Sequence, residues 1–532
     1  MRQWKKATAV LLLVCLILTL FAGCGGKKKK DPNSITAYVG QTIFQETLDP
    51  VKGGMSYGYP FINNALLKVD TKSNYVGDLA TDWSVSPDSL RYTFKLRKGV
   101  KFTDGTPFTA DDVVFTYQQV QKHQAENQNV DLTRLKSAKK VDDYTVEFTL
   151  KEPYSPFLDT AAVLGIVPSD SYKSGEFDQK PVGTGPWKVV EYDPNQQIIV
   201  EKNPDYYGGV AHINQVTIVN MDQDTALSAA KSGQLDVVMV GSNVANEKID
   251  GMKLIPLTTM DVRNISLPVV PLQTRKDAEG KAVKVGNNVT CDKAVRKALA
   301  IGIDRKTIIK NALNGIGKPA TGFTDNLLWA SDKTWTDNRV GEAKQILDAA
   351  GWKVGKDGYR QKGSQKCEFT VAAASNDNDR YQLAVAVAEN AKKLGIKINV
   401  VSKTWDELYD LKNTVGVVWG FGQYSPMVLE QLFYSKEILN SQYGNSVCYS
   451  NPKVDSLIDK ALDANNQQTA ISYWKQAQDA ANDDYPYLYI VNIEHCYFVS
   501  DRLNISEDTQ IAHPHGHGAP IINNMNDWTL KS

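Results

Sequence analysis

Three of the chain's six histidines fall within five residues, at His513, His515 and His517, alternating with proline and glycine. In an extended backbone alternate side chains share a face, and neutral imidazoles suit Ni²⁺, Cu²⁺ or Zn²⁺. The same three rings could instead form a polar wall to a ligand cleft, or hydrogen-bond within glycine turns. A second stretch, Val417-Val418-Trp419-Gly420-Phe421-Gly422-Gln423-Tyr424-Ser425-Pro426, gathers rings around glycine. Gly422 would clear room for a bulky ligand while Trp419, Phe421 and Tyr424 present their rings to it, or this strand end packs its aromatics internally. Tyr57 and Tyr59, in the glycine-rich loop from Gly53 to Pro60, pose the same choice between lining a cleft and packing on the core.

Other candidates are single residues. Arg134, Arg263 and Arg380 could each pair bidentately with a ligand carboxylate, although a surface charge is the more ordinary role. His123, His212 and His495 are isolated, which favours structural roles. Asn376-Asp377-Asn378-Asp379 lacks the spacing and terminal bidentate glutamate of an EF-hand. An exported metal-dependent hydrolase using the three clustered histidines would need a ligand set such as His-Glu-x-x-His, and none is present. Nothing in the pattern calls for a cofactor, beyond nickel or a metal chelate as a possible ligand.

The chain's ends and composition bound its setting. Arg2, Lys5 and Lys6 precede an apolar run from Ala7 to Ala22, shorter than the roughly 20 residues of a spanning helix. Phe21-Ala22-Gly23-Cys24 resembles a bacterial lipobox, which implies a signal peptide over 1–23, lipidation of Cys24 and a tether over 24–33. An ordinary signal peptide or an uncleaved anchor are the alternatives, and all three export the chain. The expected location is the outer face of the bacterial cytoplasmic membrane, extracellular or periplasmic. Sixty basic and sixty acidic side chains balance, leaving no electrostatic footprint for nucleic acid. Export permits disulfides, but Cys291, Cys367, Cys448 and Cys496 are spaced too widely to assign pairs, and free buried thiols are an equal expectation.

A chain of 532 residues is too long for one core and predicts two or more lobes. An opening strand is expected over 34–48, followed by a helix containing Ile62 and Leu66. Tyr92, Phe94 and Leu96 alternate with polar residues as in a half-buried strand, and so do Tyr144, Val146, Phe148 and Leu150. Asp104-Gly105 with Pro107 marks a turn, and Thr109 stands three before Asp112 in a capping-box spacing. Val113, Tyr117 and Val120 then stripe the helix. Two glycines and two prolines in Pro181-Val-Gly183-Thr-Gly185-Pro186-Trp187 fix a tight path. Strand, helix and strand succeed one another over 215–241 and again over 369–401, predicting βαβ units and two α/β lobes. Further helices are expected over 292–305, 343–350, 454–464 and 470–481, and Ile490 to Val499 reads as a returning strand.

The order from Trp83 through Tyr92-Thr-Phe94-Lys-Leu96-Arg97-Lys-Gly99-Val100-Lys-Phe102-Thr-Asp104-Gly105-Thr-Pro107 to Thr109-Ala-Asp111-Asp112-Val113 resembles the signature of the peptide/nickel-binding family of extracytoplasmic solute-binding proteins of ABC importers. Pro181 to Trp187, Ser232-Gly-Gln-Leu-Asp236 and Val295-Arg296…Asp304-Arg305 follow in the same family's order. The resemblance implies a two-lobed α/β fold of the periplasmic-binding-protein type II, a Venus flytrap, with an extra hairpin-rich subdomain. The first lobe's core would take 34–52, 180–262 and 491–532, the subdomain 53–179 and the second lobe 263–490. It implies a monomeric, lipid-anchored protein that catalyses nothing, captures a small solute between its lobes and delivers it to a permease driven by a cytoplasmic ATPase. Peptide is the family's default solute, and a surface receptor that senses without transport would use the same fold. Peptide binders of the family carry "W-x-x-D-x-x-x-P" where this chain has Trp419 to Pro426. Gly422 takes the place of the aspartate that meets the peptide's ammonium group, so nickel or another metal chelate is the rival ligand.

Overall fold

The structure is a computed structural model that describes residues 31–45, 47–55, 61–127, 129–333, 336–440, 443–510 and 519–531. The expected signal segment, Cys24, Tyr57, Tyr59, His513, His515 and His517 lie outside the described residues. Among the described residues no helix is long and apolar enough to cross a membrane. Cys291, Cys367, Cys448 and Cys496 are free thiols.

Ten strands form the path of the principal sheet: β1 (Ser34–Tyr38), β2 (Trp187–Asp193), β3 (Gln197–Lys202), β4 (Gln215–Val219), β5 (Val237–Val240), β6 (Met252–Ser266), β7 (Glu368–Ala374), β8 (Lys397–Lys403), β9 (Gly416–Phe421) and β10 (Tyr487–Ser500). Their spatial order is β8-β7-β9-β6-β10-β5-β1-β4-β3-β2, with Lys318–Pro319 added against β10. β1 lies parallel between β4 and β5, so the strand-helix-strand unit over 215–240 crosses over it. β7 is parallel to both β8 and β9. Both predicted βαβ units are therefore present, one in each lobe.

Only β6 and β10, among the ten, are long enough to serve both lobes. The first half of β6 pairs with the end of β10, through Met252↔Ser500 to Thr258↔Glu494, beside β5. Its second half pairs with the start of β10, from Val262↔Asn492 to Ser266↔Tyr487, beside β9. Between Thr258 and Val262 the register shifts: Thr259, Met260 and Asp261 stand against Ile493 alone. Such a bulge bends its strand and increases local twist. The Thr259 hydroxyl holds it, donating to the Ile493 carbonyl at 2.8 Å and accepting from the Asp261 N–H at 3.0 Å. At this bulged crossing β6 and β10 pass between the lobes, the position of a hinge.

A separate four-stranded antiparallel sheet carries the predicted hairpins, in the order 80–85, 91–96, 145–150, 135–142. Tyr92, Phe94 and Leu96 are buried while Arg91 and Lys95 are exposed, as the alternation requires. The helix Ala110–Lys122 starts in a full capping box between Thr109 and Asp112, and buries Val113, Tyr117 and Val120. The apolar core of this sheet runs on into the second lobe, through Tyr424, Phe433 and Trp474, without a break. Separate clusters fill the first lobe around Trp187 and Tyr497, and the second around Leu299 and Val371.

Two expectations are corrected. The opening strand ends at Tyr38 instead of continuing to Leu48, because Gly40 turns the chain with φ of 95°. No helix contains Ile62 and Leu66; Phe61 and Ile62 instead lie against the glycine-proline path, where their carbonyls accept from the Trp187 and Gly185 N–H groups at 3.2 and 2.8 Å. A Cβ on Gly183 or Gly185 would stand 2.0 Å from the Ile62 or 2.2 Å from the Phe61 carbonyl oxygen. Close backbone approach is thus the reason for both glycines.

Candidate functional site

The carboxyl ends of parallel strands from both lobes meet at the hinge. β5 ends at Val240, whose partner Cys496 lies opposite Pro256, two residues short of the bulge. β9 ends at Phe421, opposite Val262 on the bulge's other side, and β7 runs parallel to β9. Open α/β sheets place their ligand crevices outside such carboxyl ends. Here the residues following β5 and β7 touch: the Ser242 hydroxyl donates to Asp379 Oδ1 at 3.0 Å, and the Asn314 amide donates to the Ser242 carbonyl at 2.8 Å.

Four charged groups cluster behind that contact. Arg263 Nη2 lies 2.9 Å from Asp261 Oδ2, and Arg263 Nη1 lies 3.9 Å from Asp377 Oδ2. Arg380 donates from Nε to Asp377 Oδ2 at 2.8 Å and from Nη1 to the Val418 carbonyl at 2.9 Å. Asp377 also caps the helix Asn378–Lys392. Arg263 and Arg380 are 7% and 3% exposed and Asp261 is 0% exposed, so neither arginine is the surface charge that its composition alone suggests. For Asp261 and Arg263 the burial has a cause in the strand: from Thr259 to Ser266 every residue of β6 is covered.

Burial and neighbours set the charges. Burial lowers the Arg380 value to about 10, with help from Arg263, which leaves it protonated at neutral pH. Burial opposes ionisation of Asp377, but Arg263 and Arg380 outweigh it and hold the carboxyl below its usual range. Burial pushes Asp379 upward, against the hydrogen bond from Ser242.

Two glycines make this packing possible. Gly420 stands opposite Arg263 in the β6/β9 pair, where a Cβ would lie 2.5 Å from Asp261 Oδ1 and 2.6 Å from Arg263 Nη1. A Cβ on Gly422 would lie 1.9 Å from the Met260 carbonyl oxygen. The room that Gly422 leaves is therefore filled by the hinge backbone, and a side chain of any kind there would collide with it.

On the opposite face of β9 the rings gather. Trp419 is 5% exposed and stacks on Trp405 and Tyr409, each at 6.1 Å between centroids. Arg380 lies 5.1 Å over the Trp405 ring. Phe421 is half-buried and meets Phe323 edge-on at 5.6 Å. Tyr424 is buried in the core, its carbonyl accepting from Trp329 Nε1 at 2.8 Å. Trp419, Phe421 and Gly422 thus lie at or just past the carboxyl end of β9, and Tyr424 packs in the core. Arg134 lies elsewhere, paired with Glu152 at 2.9 Å and over the Tyr154 ring. Among the described residues no group of three His, Cys, Asp or Glu side chains could hold a metal ion.

Sequence reasoning passed over Ser242 and Asp261, and weighed Asp379 only within a run compared with an EF-hand. For Asp261 a signal existed: opposite charges at Asp261 and Arg263, two apart on one strand face, flanking the apolar Val262.

Comparison with known proteins gives this site its context. The model of the bacterial extracellular solute-binding proteins, family 5 Middle, matches residues 74–437. Protein XP55 of Streptomyces lividans is 31% identical over 90% of this chain and 88% of its own length. The oligopeptide-binding protein AppA of Bacillus subtilis (strain 168) is 27% identical over 95% of this chain and 96% of its own. The crystal structure of NikZ from Campylobacter jejuni in complex with Ni(L-His) superposes with a TM-score of 0.76 at 23% identity, covering 94% of this chain and all of that one.

Proposed function

Because this chain belongs to family 5 of the bacterial extracellular solute-binding proteins, we propose that it captures a peptide between its two lobes and delivers it to the permease of an ABC importer. The observation that carries this reading is the crevice itself. Parallel strands of both lobes end there, on either side of a bulged two-strand hinge, and the side chains of Ser242 and Asp379 join the segments beyond them. Solute affinity then comes from stronger binding to the closed arrangement than to the open one. No bond need be made or broken, so the protein acts without catalysis. The likeness to an oligopeptide-binding protein over nearly the full length of both chains supports peptide as the solute. Lipidation of Cys24 would hold a monomer at the outer membrane face, beside its permease.

A second reading, capture of nickel or a metal chelate, rests on the spacing of His513, His515 and His517. Thermal melting separates the two. Chelator-stripped protein should gain melting temperature with a pool of random oligopeptides and stay unchanged with nickel chloride or nickel-histidine. A gain with nickel-histidine alone would replace the peptide reading with the chelate one.

A further inference from the structure

We infer that the crevice recognises the carboxylate end of its peptide through Arg263 and makes no use of the peptide's ammonium group. The inference rests on the peptide-capture reading and adds which end of the peptide this site reads. The carboxylates of the charged cluster are already committed. Asp261 pairs with Arg263 at 2.9 Å. Asp377 accepts from the Arg380 side chain at 2.8 Å and from its N–H at 3.1 Å. Asp379 accepts from Ser242. An incoming ammonium group would have to displace a guanidinium that is tethered to the same fold.

The donors are not all committed. Arg263 is 7% exposed, yet among the described residues its Nη1 finds no hydrogen-bond acceptor and lies 3.9 Å from Asp377 Oδ2. A buried donor left unmatched is unfavourable, and an acceptor brought by a ligand relieves it. Guanidinium groups hold carboxylates with directed N–H donors that an ammonium lacks. Nη1 packs against the bare backbone of Gly420, where a Cβ would stand 2.6 Å away, so β9 itself offers it no side-chain acceptor. Access requires the lobes to part at Ser242 and Asp379, so the carboxylate enters while the crevice is open and is enclosed when it shuts. Arg263 thus acts as a built-in cation, and a peptide blocked at its amino end remains a ligand.

Three pools of random octapeptides test this by calorimetric titration: unmodified, N-acetylated and C-amidated. The unmodified and acetylated pools should bind within about threefold of each other, and the amidated pool at least about tenfold more weakly. Loss of binding on acetylation, or undiminished binding on amidation, overturns the inference. Binding by none of the three pools overturns the peptide reading and the inference with it, an outcome distinct from a wrong preference among pools that bind. Arg263→Met alone strands Asp261 and can fail to fold, so the paired variant Asp261→Asn/Arg263→Met is the control that keeps charge balanced. It should bind acid and amide pools alike; a preserved preference for the acid would mean that another group reads the carboxylate.

Discussion

At the scale of residues, the crevice is defined by side chains that are missing as much as by those present. Gly422 stands out in the sequence because rings surround it. Its reason does not, since the obstacle is the carbonyl of Met260, more than 150 positions away in the chain and 1.9 Å from the absent Cβ. Gly422→Ala should therefore lower stability by about 1 to 3 kcal/mol, the usual range for overpacking, read as a drop in melting temperature. An unchanged melting temperature would mean that the strands are not so close. Gly422→Asp should be worse, and should create no amine-binding site, because its carboxylate has no space to occupy. For the ion pair, Arg263→Met should destabilise by about 3 to 5 kcal/mol, since it leaves a buried carboxylate uncompensated. The paired variant Asp261→Asn/Arg263→Met should recover most of that loss in a urea melt. Equal losses for single and paired variants would show that packing of the arginine, rather than its charge, matters.

Elements whose contacts are local were legible; those whose contacts are distant were not. The capping box at Thr109 and Asp112 follows from a three-residue spacing and is present as read. The structure adds that Asp112 also accepts from the N–H and hydroxyl of Ser169 at 2.8 and 2.9 Å. Asp112→Ala should thus cost more than the roughly 1 kcal/mol expected for Thr109→Ala, and equal losses by denaturant titration would contradict those added bonds. The helix Phe157–Val163 carries a second consequence at its boundary with the second lobe. Burial raises its Asp159 carboxyl from 3.8 to about 6, against hydrogen bonds from Ser425 and Tyr75. The folded chain therefore keeps this proton to higher pH than the unfolded chain does. The stabilisation is complete below pH 3.8 and is lost as pH rises through about 6. Asp159→Asn should raise stability on the order of 2 to 3 kcal/mol at about pH 8 and leave it nearly unchanged at about pH 3.5. A gain of equal size at both values would exclude titration of Asp159 as its source.

At the scale of the molecule, the two βαβ units and the hairpin sheet were readable because side-chain periodicity is written into each segment. The way they join was not. β6 and β10 pair residues more than 200 positions apart, and no local pattern encodes such a partner. Their bulge interrupts the alternation: β6 alternates from Leu254 to Thr259 and is covered on both faces beyond, which marks where it passes from one lobe into the other. The continuity of the small sheet's core with Tyr424, Phe433 and Trp474 was equally hidden, since it depends on how the lobes close. The hinge, the meeting strand ends and the Ser242–Asp379 bond together imply one enclosed solute for each chain. Native mass spectrometry of the intact protein, incubated with random oligopeptides and then freed of excess, tests this most directly. The account predicts a single peptide retained per chain and released on activation; a bare protein mass, or retention of nickel-histidine in place of any peptide, would contradict it.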